Sequence, residues 1–354
     1  MKPQRSEARA GLSITRYLGW LDRHPAVGIS ALLVVIPLVI PQKTVATEIL
    51  IFGLLAASYN LLLGYTGLLS LGHSTVFGLG AYAAAILLAK TGVVSLWLAL
   101  LVGGVVPGLA AVVIGWFSLR RRLLYFAMLT LAFNQMVYYA MQQARGLTGG
   151  EDGLRGVVIP PFELPGISFS IDSLQHPYAF YYVACGIVIV CLFFIQRVIH
   201  SPLGHALEAI RESEERAQMV GYHTNRLQLL AFVLASIVAG LAGALFAISH
   251  GFVALESLGL LVALVCIVMT VLGGKGTFVG PFVGAALYLM LQEYTSRVWA
   301  NWQLLLGIVF ILLVLFLPQG VWGTFKRWYN ERGARGRRVT DRRAEAVAEE
   351  VVDA

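Results

Sequence analysis

The sequence predicts an all-α, polytopic transmembrane helix bundle of about ten spans, with glycine-interrupted segments and both termini in the cytoplasm. Three observations predict it. Hydrophobic residues fill 58% of the 354 positions and charged residues only 13%, about half the charged share of a soluble domain. The apolar residues fall in runs near the roughly 17–25 residues that cross a bilayer. The basic residues lie between those runs with a strong sidedness.

The first run, 25–42, follows Lys2, Arg5, Arg9, Arg16 and Arg23 and so resembles a secretory leader. It is long, however, and ends at Pro41-Gln42 without a small-x-small cleavage site, so it is read as a retained first span. Runs at 46–63, 67–90, 94–118 and 123–143 follow, then 178–199, 229–249, 257–274, 277–293 and 302–319. Glycines interrupt the third and the ninth. Residues 1–24 form a cytoplasmic tail, 25–323 the transmembrane domain, and 324–354 an Arg-rich, then Ala/Glu/Val-rich, tail without a packed core. Within the domain, 145–176 is a Gly- and Pro-rich outer loop and 200–228 an inner loop, helical from Gly204 to Met219.

With the N-terminus inside, 21 of the 26 Lys and Arg residues fall on the inner side. They lie in the two tails, at Arg120–Arg122, in 197–228 and at Lys275. Only Lys43, Lys90, Arg145, Arg155 and Arg297 fall outside, and removing one span would invert half of this asymmetry. The net charge of +7 is thus explained by membrane topology and lipid headgroups, and no nucleic-acid partner is expected. Cys185, Cys191 and Cys266 lie in apolar runs without a CxxC pattern or a Cys/His cluster, so neither a disulfide framework nor a metal site is expected.

Enzyme signatures are missing. Gly67-x4-Gly72-His73-Ser74 nearly spells a phosphate-binding loop, but His73 stands where lysine is needed and the segment is apolar. Gly78-x-Gly80-x-x-Ala83 mimics a dinucleotide fingerprint and fails because it follows no strand. The spans hold almost no ionisable residues of the kind that carry protons or ions: Glu48, Glu293 and Lys275 lie near helix ends. An energy source on a partner protein is expected instead.

The inner segment Gly204–Gly221 is the most informative. Leu207, Ile210 and Glu214 recur at helical spacing, Ala206, Ala209 and Ala217 are small, and Gly221 is a natural helix stop. Such a helix suits docking into a groove of a soluble partner. A solvated helix with Glu/Arg pairs explains the same residues, and physics alone leaves both readings open.

This segment resembles the coupling-helix loop of binding-protein-dependent ABC importers, in the form of the LivM-type branched-chain amino-acid permeases. Asn60-Leu61-Leu62-Leu63-Gly64-Tyr65-Thr66-Gly67 through His73, with Phe77–Tyr82, is similar to the family's early signature. Tyr125–Phe133 and Leu147-Thr148-Gly149-Gly150-Glu151-Asp152-Gly153 are similar to its middle. Leu272-Gly273-Gly274-Lys275-Gly276-Thr277, Gly280-Pro281 and Leu317-Pro318-Gln319-Gly320 are similar to its end. The resemblance runs in order over about 45–323. It departs at Ser74-Thr75, where small apolar residues are usual, and at Leu123, where glycine is usual.

The resemblance implies a permease subunit of the cell inner membrane that carries branched-chain amino acids, or urea, short amides or other amino acids in related systems. It implies a second, LivH-like permease, two ATPase subunits and a periplasmic binding protein near the 145–176 loop, with ATP used by the partners and no cofactor bound by this chain. Glu208, Ala209, Arg211, Glu212, Glu215, Arg216 and Gly221 would couple it to the ATPases. A stand-alone carrier or channel is the rival from another class, and would work without ATPase subunits.

Asn60, His73, Thr130, Asn134 and Gln135 either line a translocation path or form interhelical hydrogen bonds, worth roughly 0.6–2 kcal/mol each. Gly104-x3-Gly108, Gly280-x3-Gly284 and the Ser236, Gly240, Ala244 row predict close helix contacts. The two interrupted runs have similar glycine spacing, the pattern of an internal repeat with half-helices near the midplane.

Overall fold

The computed structural model describes residues 25–39, 42–92, 95–120, 124–164, 167–169, 177–298, 301–317 and 319–327. The tail 1–24, most of the tail 324–354, Arg121, Arg122 and Leu123 lie outside the described residues.

Each predicted run contains one helix. In chain order these are α1 (Pro25–Val39), α2 (Lys43–Asn60), α3 (His73–Lys90), α4 (Leu96–Ser118), α5 (Leu124–Gln143) and α6 (Pro177–Ile199). The inner loop holds α7 (Pro202–Glu212) and α8 (Glu214–Met219), followed by α9 (Thr224–His250), α10 (Leu260–Gly273), α11 (Gly280–Val298) and α12 (Trp302–Phe316). Among the described residues four segments are both long and apolar enough to cross a membrane: Lys43–Thr66, Leu96–Ser118, Pro177–Ile199 and Thr224–His250. Their exposed faces are greasy, with Leu109 on α4 64% and Val190 on α6 69% exposed. In water that surface would be a severe liability, whereas in lipid it carries no cost. The protein is an all-α membrane protein.

Helix α9 is the hub and packs on α2, α3 and α4. Small residues make this possible. A Cβ at Gly80 would overlap the Gly240 carbonyl, one at Gly240 the Gly103 carbonyl, and one at Gly243 the Phe77 carbonyl. Backbones of three helices therefore touch directly, the packing that lipid-embedded helices use in place of a hydrophobic drive. The predicted Gly280-x3-Gly284 contact is of the same kind: a Cβ at Gly284 would overlap the Met269 carbonyl on α10.

The glycine-interrupted runs are real breaks. After Asn60 the chain widens into a π-helical turn, Leu61–Thr66, that stops at Gly67 with φ +75°. Residues 67–72 are not helical, and α3 begins at His73. The second break, 274–279, separates α10 from α11 and contains Gly274 and Gly276 at φ +117° and +77°. The helices after the breaks are 18 and 19 residues long, so they are not halves of a span but nearly full-length elements that start late.

In its described residues the 145–176 loop, predicted to lie outside, is more ordered than its glycines and prolines predict. A helical turn at Arg145–Thr148 is stopped by Gly149 (φ +79°), and Thr148 donates to the Met141 carbonyl at 2.6 Å. Strand β1 (Leu154–Arg155) then pairs antiparallel with β4 (Phe252–Val253), which follows α9, and β2 (Phe162–Leu164) pairs with β3 (Ile167–Phe169). Lys90 donates to the Gly146 carbonyl, and Glu48 lies 3.7 Å from His250. One end of the bundle is thus tied by these contacts, and the α7–α8 loop lies at the other.

Candidate functional site

The inner loop begins with Pro202 at the first turn of α7, where a missing N–H costs nothing. Its buried face is Gly204, Ala206, Leu207 and Ile210, of which Leu207 and Ile210 pack with Ala217 of α8 and Ala231 of α9. The small side predicted to admit another surface is thus largely occupied by this chain. The opposite face, with Glu208, Ala209, Glu212, Glu215 and Arg216, is exposed.

The single helix predicted over 204–219 is two helices. Ser213 is extended (φ −161°, ψ 106°), and its hydroxyl accepts from the Arg216 N–H at 3.4 Å. Serine followed by Glu214 and Glu215 is a helix start signal, and it outcompetes continuation of α7. Glu214 faces inward: Gln218 and Thr224 both donate to its carboxylate, at 3.3 and 3.2 Å. Gly221, at φ +97°, reverses the chain after α8, and its N–H donates to the Gln218 carbonyl at 2.9 Å. Beside it, Met219 and Val220 are 84% and 80% exposed, and sequence reasoning passed over both. Their signal was two apolar residues on the rim of a charged loop.

Arg211 points the other way. Its guanidinium donates to the Gly64 carbonyl in the π-helical turn. A groove of about 360 Å³ runs alongside, lined by Thr66, Gly67, Leu69, Leu124, Arg211 and Glu215.

The five polar residues proposed for the path are placed as follows. Asn60 is buried, donates to the Thr277 carbonyl and accepts from the Gly276 N–H, each at 2.8 Å. His73 is buried with Nε2 2.9 Å from the Ser58 hydroxyl, whose own proton goes to the Leu55 carbonyl. His73 therefore donates through Nε2, and among the described residues its Nδ1 meets no hydrogen-bond partner. Thr130 accepts from the Leu71 N–H at 3.1 Å. Asn134 donates to the Ser74 and Thr75 hydroxyls (3.0 and 2.8 Å) and the Leu258 carbonyl (2.9 Å). Gln135, half-buried, reaches the Asn134 side-chain oxygen at 3.5 Å. Four of the five are thus knitted into this chain's own interior. The structure brings His73, Thr130 and Asn134 together around the start of α3, and Asn60 to the second break. Ser74 and Thr75, the two departures from the usual apolar pattern, are the partners of Asn134.

Among the described residues no group of three or more His, Cys, Asp or Glu side chains is placed to hold a metal ion. The three cysteines are buried free thiols.

Residues 43–315 match the family model described as branched-chain amino acid transport system / permease component. The chain is similar to the high-affinity branched-chain amino acid transport system permease protein LivM of Salmonella typhimurium, with 31% identity over 78% of this chain and 69% of that protein. To LivM of Escherichia coli K12 the identity is 31%, over 83% of this chain and 73% of that protein. To LivH of the same organism it is 25%, over 77% and 91%. No solved structure matches.

Proposed function

This chain belongs to the branched-chain amino-acid transport permease family, of the LivM type, and from that premise we propose that it forms one half of the translocation path of an ATP-driven importer of branched-chain amino acids in the inner membrane. The observation that carries the reading is the family match over 43–315 together with an ordered, charged inner loop whose outer face is free. A LivH-like permease supplies the other half, two ATPase subunits dock against α7–α8, and a periplasmic binding protein delivers substrate at the 145–176 end. The ten helices α1–α6 and α9–α12 cross the membrane, with both termini inside, as the basic residues require.

Hydrolysis belongs to the partners. The 67–74 stretch that mimics a phosphate loop runs from a π-helical turn into α3 with His73 buried, which supports a permease without an ATPase of its own. Helix α5 supports the shared path. The exposed faces of α4 and α12 are almost wholly apolar, whereas α5 exposes Tyr125, Met128, Met136, Tyr139 and Gln143. A face with amide and phenol groups suits a second subunit or a wet path better than lipid. Gln135 lies at its edge. Thr130 and Asn134, on the buried side of α5, bond it to Leu71, Ser74 and Thr75 around the start of α3 and so hold this wall in place.

The test is leucine uptake into vesicles carrying this subunit with its partner permease, ATPases and binding protein. Uptake that needs both ATP and the binding protein is expected. Dependent uptake of urea or an amide instead of leucine moves the cargo, and uptake by this chain alone without ATP overturns the importer reading.

A further inference from the structure

Resting on the importer reading, we infer that Arg211 and Asn60 are positioning residues that join α7 to both helix breaks, so that a displacement of α7 is delivered to the α2–α3 and α10–α11 turns as one movement. Arg211 is exposed, but its guanidinium is thereby assigned to the Gly64 turn and not to a contact with the ATPase.

The first link is made at the end of α2. Where a helix stops, its last carbonyls lose their partners. Leu62 O takes the N–H groups of Gly67 and Leu68 and the Thr66 hydroxyl. Gly64 O takes the Arg211 guanidinium. A cation at the negative end of a helix is also favoured by the aligned peptide dipoles. The stem of Arg211 lies over Gly67, where a Cβ would sit 3.3 Å from Arg211 Cγ. Gly67 has φ +75°, so its contact face is bare backbone.

The second link leads from there to the other break. A Cβ at Gly64 would lie 2.7 Å from the Gly276 N, and one at Gly276 would lie 3.1 Å from Arg211 Nη1. Gly64 and Gly276 therefore meet backbone to backbone, with the Asn60 amide packed beside Gly64. Asn60, one turn before Gly64, closes the bracket with its two 2.8 Å bonds to Gly276 and Thr277. Asn60 is 217 residues from Thr277, and Arg211 147 from Gly64. These contacts exist only because three separate parts of the chain converge. All of them end on backbone atoms of the π-helical turn or of the non-helical 274–279 break, the interruptions at which a bundle hinges.

The experiment uses the reconstituted complex and reads uptake per ATP hydrolysed. Arg211→Ala should assemble, keep hydrolysing ATP and lose roughly 5- to 10-fold in that ratio, with Arg211→Lys recovering part of it. A covalent replacement for the link is available. A Cβ at Gly67 would be 3.8 Å from Arg211 Cβ, a separation typical of disulfides. In a background with Cys185, Cys191 and Cys266 replaced, Gly67→Cys with Arg211→Cys should be uncoupled when reduced. On oxidation with diamide it should regain coupling to within about twofold of the parent, as a restored two-state element would. The same ratio in oxidised and reduced protein, or an undiminished ratio in Arg211→Ala, overturns the joint. Should the cysteine pair fail to assemble, Arg211→Ala and Asn60→Ala combined should lose no more than the worse single variant, and additive losses overturn it. Absence of ATP-dependent uptake in the parent complex would strike the importer reading, not the joint.

Discussion

Asn134 has two N–H bonds and three acceptors within 3.0 Å, and Ser74 in turn donates to the Leu258 carbonyl. A network so fully buried is costly to break partway. Asn134→Leu should lower stability by about 1–3 kcal/mol, because the buried Thr75 hydroxyl loses its Asn134 partner and Ser74 keeps only its bond to Leu258. Adding Ser74→Ala and Thr75→Ala should recover much of that loss, read as the thermal midpoint of the purified complex in detergent. Arg211 offers the functional counterpart. Arg211→Glu places an anion against the Gly64 carbonyl and should abolish uptake while insertion, followed by membrane fractionation, stays intact. Undiminished uptake in an inserted Arg211→Glu variant would remove the residue from the coupling path. Both residues stood out in the sequence as polar groups in telling places. Their directions did not, because the partners of Asn134 lie 59, 60 and 124 residues away and that of Arg211 147 away. Side-chain direction across such distances is set by packing, which no local pattern encodes.

Among elements, the long apolar helices were legible because span length and basic flanks are local properties. The inner loop was legible in part. Its helical character and its stop at Gly221 could be read, whereas the break at Ser213 was hidden inside a favourable helical spacing, with the capping serine as its one signal. The strands of the outer loop could not be read, since two-residue pairings such as β1 with β4 have no periodicity to detect. Gly221→Pro removes an N–H that is bonded to Gln218 and demands φ near −65° where the chain has +97°. It should cut uptake severely while insertion, checked by membrane fractionation, is retained, and Gly221→Ala should do less harm. Met219→Asp with Val220→Asp should instead weaken retention of the ATPase subunits on an affinity-purified permease, leaving the bundle's thermal midpoint unchanged.

Across the whole molecule, the bundle is held by backbone-to-backbone contact at α9. Gly240 stands between α3 and α4, where a Cβ would overlap the Gly103 carbonyl. Gly240→Leu should therefore prevent a monodisperse complex in size-exclusion chromatography, while Gly186→Leu, at a site with open space around it on α6, should be tolerated. The glycine rows announced such contacts, but which helices they join became visible only once the hub was placed.

The pair Met219–Val220 has a further consequence for the economy of the cell. Among the described residues these are the most exposed large apolar side chains, and in the proposed topology they belong to a cytoplasmic loop, not to a face in lipid. A subunit made in excess of its ATPase thus displays an oily tag to the cytoplasm, the kind of mark that proteolytic surveillance reads. Subunit ratios would then correct themselves after synthesis. In a pulse-chase, the orphaned chain should decay several-fold faster than the assembled one, and Met219→Ser with Val220→Ser should prolong its life; equal half-lives would deny the loop that role.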